Sequence, residues 1–229
     1  TALFLAGAAG YFHLAKKWFV PLRMAVPLSY FFYAATRLMF WADDPQSFGY
    51  GYCLGTLTAF MLALGTPDLI AVVRGQLVEG WPRKTLQLTN TSLAVVLGWF
   101  VTYTLFHERL EHTYFLLGSI LVASSVAYYA LQQRDALMHG YFVKGMALFT
   151  MGLITVFEGN TRYIALAIQS LVMLLSARRS RLKVVEGAMV LTWLTSYLFF
   201  VGRFAELGTF GTPPGLWSVE GAVAFAYLF

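Results

Sequence analysis

The chain has 229 residues, of which 59% are hydrophobic, 17% aromatic and only 12% charged, with a net charge of +5. Soluble domains run near a quarter charged, so charge is depleted about twofold and an ordinary soluble domain is excluded. A positive balance in so apolar a chain bears on membrane topology first, and it implies no nucleic-acid partner.

Apolar runs long enough to cross a hydrocarbon layer of roughly 30 Å recur along the sequence. They are Thr1–Ala15, Leu22–Trp41, Tyr50–Val73, Leu88–Phe106, Thr113–Leu131, Tyr141–Phe157, Arg162–Ser176, Leu182–Phe204 and Leu216–Phe229. The expected fold is all-α: a polytopic transmembrane helix bundle of about nine spans with short loops, forming a single domain over residues 1–229. The chain opens on TALFLAGAAGYFHLA and closes on AVAFAYLF, both already apolar, so a piece of a longer protein is expected. The opening is not a secretory signal peptide, because Lys16 and Lys17 follow its apolar region. Cys53 lies alone within an apolar run, where a buried, inert thiol is expected.

The first segment contains His13, the only histidine inside an apolar run. It is the one candidate tetrapyrrole ligand, but no facing second histidine is evident, so no cofactor is expected. In the second, Pro27 would kink or shorten the helix. In the third, Gly65-Thr66-Pro67-Asp68 interrupts the run. The simpler reading ends the helix at Gly65 and lets Thr66 cap a new surface helix from Pro67. The alternative is a broken helix whose freed backbone groups line a binding site. Asn90-Thr91-Ser92 fits a glycosylation pattern but stands at a helix start, where a cap is expected.

Between the fourth and fifth segments, His107-Glu108-Arg109-Leu110-Glu111-His112 resembles a zinc signature. Zinc helices carry two histidines four apart on one face. Here they are five apart and diverge by about 140° around a helix, so a solvated loop is expected and no metal site. Asp68, Lys144, Glu186 and Glu220 are the charges nearest the apolar runs, and each is expected to pair or snorkel at an interface. Gln169 stands inside the seventh segment. Before it, Glu158-Gly159-Asn160-Thr161-Arg162 reads as a hairpin tip: Gly159-Asn160 turns the chain, Thr161 caps the next helix, and Glu158 faces Arg162.

Basicity alternates from loop to loop. The loops after segments one, three, five and seven hold about twelve basic residues, and the others about four, which places the richer set in the cytoplasm. Trp18, Trp41, Tyr50, Trp81, Tyr114, Tyr128, Tyr129, Tyr141, Tyr163 and Trp217 fall near segment ends and read as a headgroup-level belt. Ser119, Ala123 and Ala127, or Gly55 with Ala59, could let helices approach closely.

From Leu86 to Phe200 the chain runs LQLTNTSLAVVLGWFVTYTLF, an aromatic-rich span, then FVKGMALFTMGLITVFEGNTRYIALAIQSLVMLLSARRSRLKVVEGAMVLTWLTSYLFF. This order resembles a large family of bacterial many-helix inner-membrane proteins of unknown function, with Gln169 where a Glu is expected. The resemblance implies a bacterial cytoplasmic membrane and supplies no activity. The residues themselves show no Ser–His–acid set, phosphate-cradling glycine loop or Cys/His metal spacing. The leading expectation is a non-enzymatic scaffold or accessory subunit, in contact with the bilayer and with other membrane subunits or further parts of its own chain. A translocator of a lipid or envelope precursor is the alternative, and an intramembrane enzyme on lipid-linked substrates comes third. The residues able to carry function are Asp68, Gln169, Glu186, Glu158 and Arg162, with His107 and His112 for a metal.

Overall fold

The structure, a computed structural model, describes residues 4, 7–11, 19–43, 49–75, 80–131, 136–180 and 183–210. His13, Glu220 and the last apolar segment lie outside the described residues. The described residues are helical and include no strand. The longer helices are α1 (Phe19–Asp43), α2 (Tyr50–Val73), α3 (Trp81–Leu105), α4 (Leu110–Ala130), α5 (Ala136–Val156), α6 (Gly159–Ser180) and α7 (Lys183–Phe210), with a 3-10 turn at His107–Arg109. Among the described residues four helices, Tyr50–Val73, Pro82–Leu105, His107–Ala130 and Ala136–Val156, are long and apolar enough to cross a membrane. The sequence reading counts nine such segments.

The chain divides into two compact units, Thr1–Gly145 and Met146–Phe229. In the first, α3 is central and touches α1, α2 and α4. Helical periodicity explains each contact. Helix α1 buries Leu22, Val26, Tyr30 and Tyr33, and α2 buries Leu54, Leu57, Met61, Leu64, Asp68 and Ala71. Spacings of three and four put each set on one stripe. Helix α3 buries Arg83, Gln87, Asn90, Ala94 and Val101 on the same principle, and the half nearest its start is polar.

Helix α2 runs unbroken through Gly65-Thr66-Pro67-Asp68, which overturns the expected helix end at Gly65. Thr66 is no cap, because its hydroxyl donates to the Leu62 carbonyl 2.6 Å away, one turn back. Proline lacks an N–H, and such gaps in an apolar helix are tolerated where a neighbouring helix supplies donors. Around this gap α3 adds donors to other α2 carbonyls: Gln87 Nε2 bonds the Leu64 carbonyl at 3.2 Å and Asn90 Nδ2 the Met61 carbonyl at 3.1 Å. Pro27 likewise sits inside a continuous α1.

Helix α2 ends where Gly75 adopts φ 64°, a left-handed stop that favours glycine. Gly80, at φ 151° and ψ 160°, precedes α3 in a region essentially restricted to glycine. Pro82 in the first turn then presets the helix. Thus α3 begins seven residues before the expected Leu88, and Arg83, Lys84 and Gln87 belong to the helix instead of a loop.

Close helix approach depends on other small residues than those expected. A Cβ at Gly145 of α5 would stand 3.0 Å from the Gly118 carbonyl oxygen and the Val122 nitrogen of α4. One at Gly98 would meet Leu117 and Leu57, at 2.9 and 3.1 Å, whereas Gly55 faces open space.

In the second unit α6 packs along α7. Leu166, Ser170, Met173 and Ala177 of α6 and Val185, Ala188, Thr192 and Ser196 of α7 are buried. These side chains are mostly small or slender, which lets two helices lie close. Gly159 and Asn160 are the first residues of α6, not a turn, and Thr161 donates from within that first turn to the Glu158 carbonyl at 2.6 Å.

Candidate functional site

The polar half of α3 builds a buried polar cluster in the first unit. Arg83 Nε and one terminal nitrogen fork onto the two carboxylate oxygens of Asp68 at 2.5 and 2.7 Å. Tyr128 of α4 donates its hydroxyl to the same carboxylate at 2.6 Å. Asp68 is 2% exposed and Arg83 4%, so the charges are withdrawn from the surroundings and answered by each other. A bidentate guanidinium–carboxylate pair is the strongest geometry available for this. The sequence places Asp68 in a pair at an interface; its partner is a buried arginine one helix away.

Two turns further along α3, Asn90 accepts from the Tyr30 hydroxyl of α1 at 2.8 Å. Asn90 is therefore a buried mid-helix residue tying α1, α2 and α3 together, not a cap. Gln87 beside it is 1% exposed, and its Oε1 has no hydrogen-bond partner. On the neighbouring face Lys144 of α5 donates to the Leu88 carbonyl at 2.7 Å, Thr91 Oγ1 at 3.0 Å and Ser92 Oγ at 2.6 Å. Its ammonium is directed inward onto α3, where a snorkelling side chain was expected. Beside Asn90 and Tyr128 lies a cavity of about 70 Å³, bounded by Gly65, Thr66, Asn90, Thr91, Ser124 and Tyr128 among others.

Several aromatics assigned to a headgroup belt are core residues. Tyr114, Tyr128, Tyr141 and Tyr163 are buried. The Tyr128 and Tyr141 rings meet edge-on at 5.8 Å. Tyr50 joins a second polar layer at the opposite end of α3, where its hydroxyl lies 3.0 Å from Thr113 Oγ1, itself 2.8 Å from Thr102 Oγ1.

The remaining candidates are dispersed. Gln169 is buried in the second unit and pairs with Thr150, Nε2 to Oγ1 at 3.1 Å. Glu186 and Glu158 are exposed on α7 and just before α6. Arg162 donates its Nε to the Phe157 carbonyl at 2.8 Å, so it caps the end of α5. His107 is exposed and meets the Tyr103 ring edge-on at 5.1 Å. His112 Nδ1 lies 2.8 Å from Glu111 Oε1. Among the described residues no group of three or more His, Cys, Asp or Glu converges as a metal site would.

No protein-family model, curated protein or solved structure matches the chain. The site therefore has to be read from its own chemistry. Its acid, its arginine and its amides are mostly engaged with one another, and the Lys144 amine with the hydroxyls of Thr91 and Ser92. Such an arrangement can orient helices and hold them in register.

The sequence signal that could have located the cluster is the spacing Arg83, Gln87, Asn90, Ala94. Polar side chains three and four apart at one end of an apolar stripe mark a buried polar face.

Proposed function

We propose that the chain is a multi-pass membrane protein with a non-enzymatic structural role, a scaffold or accessory subunit of a membrane assembly. The observation that carries this reading is the mutual satisfaction of Asp68, Arg83 and Tyr128, with Lys144 bonded to α3. Ionisable groups at membrane depth mark function when they face a path, and here they face each other. The account takes about nine spans, a bacterial cytoplasmic membrane, and the basic loops on the cytoplasmic side, supported by the charge alternation and the resemblance over Leu86–Phe200. Partners are the bilayer and further membrane subunits or parts of the same protein.

A translocator is the second reading, favoured by the partly polar cavity beside Tyr128. At about 70 Å³ that space suits one or two water-sized occupants and not a lipid precursor. Native mass spectrometry from nanodiscs, run alongside flux assays in proteoliposomes, separates the two. The scaffold reading expects a complex of fixed stoichiometry and no flux. A lone monomer that moves a lipid or an ion across the vesicle wall overturns it.

A further inference from the structure

Gly65 leaves a gap with a definite chemistry. The point where a Cβ at residue 65 would stand is 3.7 Å from Gln87 Oε1 and 3.8 Å from Asn90 Nδ2. Gln87 Oε1 is a buried acceptor without a partner, while Nε2 of the same amide is spent on the Leu64 carbonyl. Asn90 Nδ2 uses one of its two hydrogens on the Met61 carbonyl. An orphan acceptor and a spare donor thus flank one small space, and both side chains are more than nine-tenths buried.

The adjoining cavity is mostly apolar, and the hydroxyls in its wall offer lone pairs. Thr66 donates to the Leu62 carbonyl, Ser124 to the Ile120 carbonyl and Tyr128 to Asp68, so each hydroxyl proton is already used. The cavity's roughly 70 Å³ exceeds what one water needs, and such a water requires two to four polar partners.

We infer that an ordered water molecule binds beneath Gly65, donating to Gln87 Oε1 and accepting from Asn90 Nδ2. It closes the last gap in the polar cluster, linking the amide that supports α2 near Pro67 to the one held by Tyr30. Glycine at position 65 provides its room. The ligand is water, a small neutral donor and acceptor, because both amides are neutral and each offers it a single bond.

Small substitutions at position 65 test this by the sign of the stability change. Alanine there meets its neighbours at ordinary contact distance, so it displaces the water without a clash. In a dry gap it would raise the melting midpoint, since alanine is the better helix residue and fills space. With a bound water, Gly65→Ala lowers the midpoint by several degrees, because Gln87 Oε1 is stranded. Gly65→Ser loses less, its hydroxyl standing in for the water. In a Gln87→Met background, without the acceptor, the order reverses and alanine is the more stable. All five midpoints (native, Gly65→Ala, Gly65→Ser, Gln87→Met and the Gly65→Ala, Gln87→Met double variant) are read by intrinsic tryptophan fluorescence on the full chain in detergent. A rise or no change for Gly65→Ala in the native chain overturns the water. So does a fall that is as large in the Gln87→Met background.

Discussion

Replacing Asp68 with asparagine keeps the shape of the carboxylate and removes its charge. Arg83, 4% exposed, then retains a buried guanidinium without its carboxylate, and Tyr128 donates to a weaker acceptor. Breaking one side of a buried pair costs about 3–5 kcal/mol, mostly the penalty of the charge left behind. For a chain of this size each kcal/mol moves the melting midpoint by roughly 2–4 °C, so Asp68→Asn should lower it by about 6–20 °C. Replacing the whole set by apolar side chains (Asp68→Leu, Arg83→Met, Tyr128→Phe) should recover most of that loss, because no charge or hydroxyl is then stranded. The assay is thermal unfolding in one detergent, followed by tryptophan fluorescence. An Asp68→Asn midpoint within about 2 °C of the native chain would refute the buried pair, since an exposed one contributes at most about 1 kcal/mol. A triple variant no better than the single one would refute the attribution to stranded charge.

Gly145→Ala should destabilise by about 1–3 kcal/mol, because its Cβ meets the α4 backbone at 3.0 Å and neither helix can yield locally. Gly55→Ala, facing open space, should gain up to about 1 kcal/mol from helix propensity, and the same melting assay ranks the two. Gly80→Ala should cost about 1–3 kcal/mol through its φ of 151°, with the loss appearing as freer proteolysis around residues 74–80.

The helices were legible in the sequence because apolar runs of span length dominate it. Where the reading stopped short, polar residues had been taken for loop. Helix α3 starts at Trp81 and not Leu88, since Arg83 and Gln87 find partners on α2 that a hydropathy pattern does not contain. Pro67 misled in the same way: its missing N–H argues for a break, yet α2 continues through it, held to α3 by amides that bond the Leu64 and Met61 carbonyls. Tyrosines near helix ends were read as interfacial because their amphipathic rings suit headgroups. A phenol also suits a core that offers a buried acceptor, as Asp68 does for Tyr128 and Asn90 for Tyr30. Of the polar candidates, Asp68 was legible from its depth in an apolar run, but its partners were not. Burial of Gln169 followed from its place in a span, and its pairing with Thr150 needed the packing.

The most direct test of the account is which side of the membrane the two ends of α3 occupy. Arg74, where α2 ends before α3, and Glu108, just past the far end of α3, are exposed, and the 25 residues of α3 span about 37 Å. In a Cys53→Ala chain carrying a single cysteine at 74 or at 108, intact cells are treated with a membrane-impermeant maleimide. Labelling at 108 from outside, with 74 reactive only after the membrane is opened, is the predicted result. Equal labelling of both positions in intact cells would contradict it, as would recovery of the chain in the soluble fraction.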